Sequence, residues 1–184
     1  MKKITYLIGS LMMLIWILAS CTEGTDFDIN YTPIAPIGGQ YVVTVSYGFD
    51  KTKSDVEFWA DPTNVKDSLQ IYAYLSNTTF FDTDSAWVRI GSYSARNGYN
   101  INTKVFIDMS NYSFSGLNIN NFVGNSITPV DSVTINGFCT HNNFVAPSGA
   151  TTDYISFIYS RTDLPGYHWK VEGWKYTGWA EDDY

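Results

Sequence analysis

The chain has little with which to cross-link itself, bind metal or run acid–base chemistry. Among 184 residues there are two cysteines, two histidines, and 11 Lys and Arg against 18 Asp and Glu. So few cysteines exclude a disulfide framework, and the fold must rest on a hydrophobic core. Basic residues are sparse and the formal net charge is −7. This excludes an electrostatic nucleic-acid partner, since phosphate binding needs clustered Lys and Arg. Long apolar runs are missing too. The longest, residues 4–18, covers about 15 positions, short of the roughly 20 that span a bilayer. Helical periodicity is scarce, and internal repeats are not apparent.

That short run has a meaning of its own. Lys2 and Lys3 precede it, and Leu18-Ala19-Ser20-Cys21 closes it. This is the charged, apolar and small-residue order of a secretory signal, and a cysteine directly after the small residues marks a bacterial lipoprotein signal. The expected organisation is a signal peptide over 1–20, a lipidated tether over 21–37 and a β-barrel domain over 38–184. Such signals are cut before the cysteine, whose thiol carries diacylglycerol and whose new amino group is acylated. Three acyl chains on Cys21 would anchor far more firmly than one. The tether, polar and acidic with Pro33 and Pro36, lacks the apolar content to fold. Without residues 1–20 the chain keeps 9 basic and 18 acidic residues, so lipid rather than charge must hold it to a membrane. Cys139 is then the one remaining thiol, in an alternating stretch that predicts burial and inertness.

From Gly38 the pattern has period two. Strands are expected near residues 40–47, 68–76, 86–93, 99–109, 112–117, 132–141, 153–160 and 168–177, with an Asn-rich loop over 118–129. In the second, Leu69, Ile71, Ala73 and Leu75 share one face while Tyr72 and Tyr74 take the other. Arg96-Asn97-Gly98 and Asp163-Leu164-Pro165-Gly166 read as turns. Eight short strands with tight turns predict an all-β fold. An eight-stranded antiparallel up-and-down barrel, lipocalin- or calycin-like, would hide its edges and leave room for one small ligand. A β-sandwich is the alternative.

The catalytic inventory is thin. His141 stands beside Asn142-Asn143 and reads as a surface residue; His168, between Tyr167 and Trp169, reads as packed. No Gly-x-Ser-x-Gly elbow occurs. Ser156 or Ser160 could meet His168 across the Asp163–Gly166 turn, but topology alone would place them there. Asp50 and Asp55, and Asp82 and Asp84, read as solvated loop residues, and Cys139-Thr140-His141 is too small a set for zinc. No catalytic residue, metal or cofactor is assigned, and no esterase or glycosidase turnover is expected. Aromatics are the better lead. Beyond residue 20 there are five Trp, thirteen Tyr and eleven Phe. Tyr41, Tyr72, Tyr74, Trp87 and Trp169 are the candidate ligand contacts, for a small apolar or amphipathic molecule or for a glycan.

The order of several short motifs carries a resemblance. Gly39-Gln40-Tyr41-Val42-Val43-Thr44 opens the domain, followed by Leu75-Ser76-Asn77-Thr78 and Ala86-Trp87-Val88. Lys104-Val105-Phe106-Ile107-Asp108 leads to Phe114-Ser115, and Pro165-Gly166 runs through a strand to Thr177-Gly178-Trp179. Over residues 38–179 the chain resembles a Bacteroidetes lipoprotein family described as lipid-binding putative hydrolases, with a lipocalin-like barrel. Gln40-Tyr41 departs from that family's acidic-Trp pair, and the loop after Asn118 is longer. The resemblance implies a membrane-anchored protein on the periplasmic or cell-surface face of an outer membrane, holding an apolar ligand in its barrel. The other function considered is a surface glycan-binding accessory of polysaccharide uptake. The family offers no catalytic residues to carry over.

Overall fold

Alternation of period two becomes eight antiparallel strands, each paired with its chain neighbours, and β1 pairs with β8 to close the ring. The computed structural model describes residues 32–79, 82–91, 98–124 and 126–183. The strands are β1 (Gly39–Phe49), β2 (Asp67–Asn77), β3 (Ser85–Ile90), β4 (Ile101–Asp108), β5 (Ser113–Asn121), β6 (Asp131–Val145), β7 (Thr151–Arg161) and β8 (Tyr167–Lys175). The fold is the closed up-and-down barrel, and the β1–β8 ladder excludes the sandwich. At that seam Gly173 opposes Val43, and a Cβ there would lie 2.0 Å from the Val42 carbonyl oxygen, so only glycine lets the two strands meet. Signal residues 1–20, Cys21, the tether to residue 31, Tyr93 and Arg96-Asn97 lie outside the described residues. Among those described, no helix is long and apolar enough to cross a membrane.

Bulges bend the strands enough to close so small a barrel. Register shifts occur at Thr103/Phe106, Gly116/Ile119 and Thr140/Phe144. Two involve asparagines with positive φ, Asn118 at 50° and Asn142 at 49°, a conformation Asn tolerates better than most residues. They account for two departures from the sequence reading. β5 continues past its bulge to Asn121, so the expected loop starts later, and β6 runs on to Val145.

A short helix, α1 (Asp55–Trp59), was also not expected. Ser54 caps it: its Oγ accepts from the Glu57 amide, and the Glu57 carboxylate accepts from the Ser54 amide at 2.9 Å. Its one buried residue, Phe58, stacks on His168 with ring centroids 4.5 Å apart.

The up-and-down order gives the barrel two distinct ends. One carries residues 32–38, 78–79, 82–84, 109–112 and 146–150, and the C-terminal segment 176–183. The other carries residues 50–66, 91, 98–100, 122–124, 126–130 and 162–166, in the four connections β1–β2, β3–β4, β5–β6 and β7–β8. The first is closed. Residues 32–37, expected as tether, form a turn held by Ile37 N–H to the Ile34 carbonyl at 3.0 Å. Ile34 and Ile37 are fully buried in the same cluster as Tyr41 and Cys139. Two isoleucines on one turn supply the apolar area that the polar composition of the segment conceals. Between the ends the interior is filled by side chains such as Val43, Leu75, Val88, Phe114 and Phe157.

Candidate functional site

The second end is open, and inward strand positions that are sealed elsewhere become half-buried here. Tyr47 and Leu69 continue the inward faces of β1 and β2. With Tyr99, Leu164, Tyr167 and Trp169 they line a cavity of about 430 Å³, joined at the rim by Asp67 and Gly98. Its size and its aromatic, mostly apolar wall suit a small amphipathic ligand.

The wall is braced from behind. Trp169, only 3% exposed, stacks on Tyr159 (5.2 Å between centroids, 12° between planes) and on Tyr167 (5.7 Å, 22°). Tyr159 in turn meets Phe157, and Phe157 meets Phe114. An aromatic column thus runs from the core to the mouth, where Tyr167 meets Phe49 edge-on at 5.0 Å. The Tyr159 hydroxyl donates to the Tyr99 carbonyl. Burial pushes that phenol well above its ordinary value, so it remains a donor.

Arg161 fixes the loops around the mouth. Its guanidinium donates to the carbonyls of Gly98 (3.0 Å) and Asn100 (3.1 Å), and to the carboxylates of Asp131 (2.7 Å) and Asp163 (2.6 Å). The Arg161 and Asp131 side chains are 5% and 2% exposed. One cation therefore ties two of the four connections at the open end, β3–β4 and β7–β8, to the first residue of β6. Such a buried network is costly to break, because the remaining carboxylate would be left unpaired.

The five aromatic candidates separate. Trp169 lines the mouth. Tyr41 also points inward but at the closed end, where its hydroxyl donates to the Ile37 carbonyl at 2.5 Å and lies 3.9 Å from Cys139 Sγ. Tyr72, Tyr74 and Trp87 sit on the outer wall. Tyr72 donates to Asp183 at 2.5 Å beneath the C-terminal segment, whereas Tyr74 and Trp87 flank a groove. The sequence reading missed Tyr47, Leu69, Tyr99, Leu164 and Tyr167. For Tyr47 and Leu69 the signal was present: they end the same inward faces that carry Tyr41 and Leu75.

The titratable clusters are built for holding structure. Ser160 and His168 are indeed neighbours, but Asp55 stands between them. Ser160 Oγ donates to Asp55 Oδ2 at 2.8 Å, His168 Nδ1 lies 2.5 Å from Asp55 Oδ1, and its Nε2 lies 2.9 Å from the Asp50 carbonyl. Neither ring nitrogen is bonded to Ser160, whose hydroxyl donates to the carboxylate instead, so the serine–histidine contact of a nucleophilic triad is not formed. At the closed end, the bulge at Asn142 turns His141 onto buried Asp153. His141 Nδ1 lies 2.9 Å from Asp153 Oδ1, and Lys175 Nζ 3.0 Å from Oδ2. The network makes Nδ1 the donor, while Nε2 accepts from the Asn142 amide at 3.0 Å. A polar shelf of about 570 Å³ opens beside this pair, and its charged lining suits an acyl chain poorly. Cys139, 3% exposed, is pushed up to about 12 by burial, against a smaller lowering by the Tyr41 hydrogen bond. It is a thiol, not a nucleophilic thiolate. Asp82 bonds to Lys104 (2.8 Å) and Ser85 (3.0 Å).

Two comparisons bear on this geometry. A family model described as "Lipid-binding putative hydrolase" matches residues 26–180. No curated protein matches the chain.

Proposed function

The chain belongs to the family of lipid-binding putative hydrolases, and on that premise we propose that it is a membrane-anchored lipoprotein that binds one amphipathic lipid in the open mouth of its barrel. Family and barrel together support a lipid-binding protein. The observation that carries the location is the half-buried ring of Tyr47, Leu69, Tyr99, Leu164 and Tyr167 over the Trp169 floor. An acyl chain laid there would gain about 0.8 kcal/mol for each methylene removed from water. Asp67 and the tyrosine hydroxyls at the rim would meet the polar end. A carboxylate at the rim favours an uncharged or cationic headgroup over an anionic one.

Anchoring is the second half of the reading. It is supported by Lys2, Lys3, the apolar run and Leu18-Ala19-Ser20-Cys21. In this account Cys21 carries the lipid, in an outer membrane. Mass spectrometry of the mature N-terminal peptide tests it: the expected result is a Cys21 peptide bearing three acyl chains. An unmodified cysteine, or cleavage elsewhere, contradicts it.

Native mass spectrometry with a monoacylglycerol tests the ligand. One lipid per chain is expected, with at least tenfold weaker binding in Leu69→Asp, a variant that should still unfold cooperatively although its melting temperature falls by several degrees. Equal binding by that variant would move the site elsewhere.

A further inference from the structure

The longest of the four connections at the open end, residues 50–66, contributes nothing to the lining of the mouth. It doubles back over the outer wall instead. Tyr47 and Trp169 point into the barrel, so by alternation Gly48 and His168, which stand opposite each other on β1 and β8, point out. Phe58 lies over both. A Cβ on Gly48 would come within 2.3 Å of the Phe58 ring and 2.4 Å of the Asn64 carbonyl oxygen, so only glycine clears that berth. Asp50 N–H donates to the Gly166 carbonyl at 2.8 Å. Phe58, 1% exposed, is the one buried residue in the connection. A segment with so little buried apolar surface opens for much less free energy than the barrel it rests on.

His168 is the fastening. Its ring stacks on Phe58, Nδ1 lies 2.5 Å from Asp55 Oδ1, and Nε2 lies 2.9 Å from the Asp50 carbonyl oxygen. Each ring nitrogen thus faces an acceptor. A neutral imidazole carries one N–H, so beside an ionised Asp55 it would turn a lone pair toward an oxygen. The arrangement needs a second proton, held by the ring or shared with Asp55. The surrounding groups do not supply it. From β7 the Ser160 hydroxyl is spent on Asp55 Oδ2 at 2.8 Å. The Asp50 carboxylate also faces the ring, with Lys53 3.8 Å from it. Two residues along β8, Lys170 is paired to Glu172 at 2.9 Å, and β1 presents only Gly48. We propose that residues 50–66 are a lid for the mouth, fastened open by His168 and released when the His168–Asp55 pair loses its second proton. The proposal rests on the mouth being the lipid site. The fastened state holds one proton more, so it is favoured at low pH and lost as pH rises. Half the connection, fully extended, reaches on the order of 27 Å, and a ring of eight tilted strands is on the order of 15 Å across. Once off the wall, Phe58 meets uncovered apolar surface in the mouth.

Hydroxyl-radical footprinting of the full chain without lipid tests the lid. Nitrogen-15 NMR of the His168 ring locates the pH at which the second proton leaves, and footprints are taken on either side of it. Above that pH, oxidation of Leu164 and Tyr167 should fall at least twofold, while Val145 and Trp179 at the closed end should not change. His168→Gln and Asp55→Ala should each give the covered footprint at every pH. Native mass spectrometry with a monoacylglycerol should show both variants releasing lipid at least fivefold more slowly than wild type. Three results would overturn the lid: a wild-type footprint indifferent to the ring proton, undiminished oxidation of Leu164 and Tyr167 in both variants, or equally fast lipid release. A footprint that shifts as expected in a chain that binds no monoacylglycerol counts against the lipid reading and not against the lid, because the footprint is taken without lipid.

Discussion

At the closed end of the barrel Ile34, Ile37 and Tyr41 are sealed from water. At the open end Tyr47, Leu69, Tyr99, Leu164 and Tyr167 occupy equivalent inward or rim positions and remain half-buried. The closed end is finished by the chain's own residues: the turn at 32–37 plugs it, and the C-terminal segment clasps it through Asp182, which accepts from Ser148 N–H at 2.6 Å and Ser148 Oγ at 2.7 Å. At the open end apolar surface is held in place by the Arg161 network and left uncovered. A fold gains stability by covering apolar surface. Surface that is braced but uncovered is therefore surface set aside for something else.

The sharpest way to break this contrast is to delete one ring at each end. Tyr41→Ala removes a fully buried aromatic and should cost about 3–5 kcal/mol, with lipid affinity unchanged in whatever fraction stays folded. Leu69→Ala should cost only about 1 kcal/mol, because the side chain is already partly in water, yet weaken lipid binding severalfold. Denaturant melts paired with lipid titrations check both. Equal stability losses would erase the distinction between the ends.

Arg161→Met sharpens it from the side of the open end. The substitution keeps most of the volume but leaves Asp131 buried without its cation, an effect of about 3 kcal/mol. Hydrogen exchange should rise first in residues 98–100 and 162–166 and not in 32–41. A uniform rise would mean that the network supports the whole barrel rather than the mouth.

Acid should act on the other end. Burial alone would raise the Asp182 carboxyl, but hydrogen bonds from Thr177, Ser148 Oγ and the Ser148 amide bring it below its ordinary value. A carboxyl depressed in the folded state contributes stability that is present above its unfolded value and is lost as pH falls through its folded one. Exchange in 146–150 and 176–183 should therefore increase below the ordinary carboxylate range, and Asp182→Asn should flatten that dependence. An unchanged profile in the variant would remove Asp182 from the clasp. The smallest effect is expected at Cys139: no reaction with a thiol reagent at pH 8 in the folded protein, and full reaction in denaturant. Rapid labelling of the native chain would show that the closed end opens.

The strands were legible because each alternates cleanly against one core. Leu69, Ile71, Ala73 and Leu75 against Tyr72 and Tyr74 announced which face of β2 is inward. Reading failed where alternation breaks for a local reason. Asn118 and Asn142 adopt positive φ at bulges, so β5 and β6 seemed to end early. The helix of Ser54 and Glu57 went unread, because a five-residue helix has no period to detect. Ile34 and Ile37 were hidden in a polar, proline-containing segment. Of the mouth, Trp169 alone was singled out, although the inward faces of β1 and β2 also pointed to Tyr47 and Leu69. Its other residues come from strand ends and turns far apart in the chain, and which of two similar ends stays open depends on what plugs the other.

The most direct test is to ask which end a lipid touches. A monoacylglycerol carrying a diazirine in its acyl chain would be photolysed with the protein and the adducts mapped by peptide mass spectrometry. The account predicts adducts on the peptides containing Tyr47, Leu69, Leu164 and Tyr167, suppressed by excess unlabelled lipid. Adducts on residues 34–41, or on the wall around Trp87, with the mouth unlabelled, would contradict it.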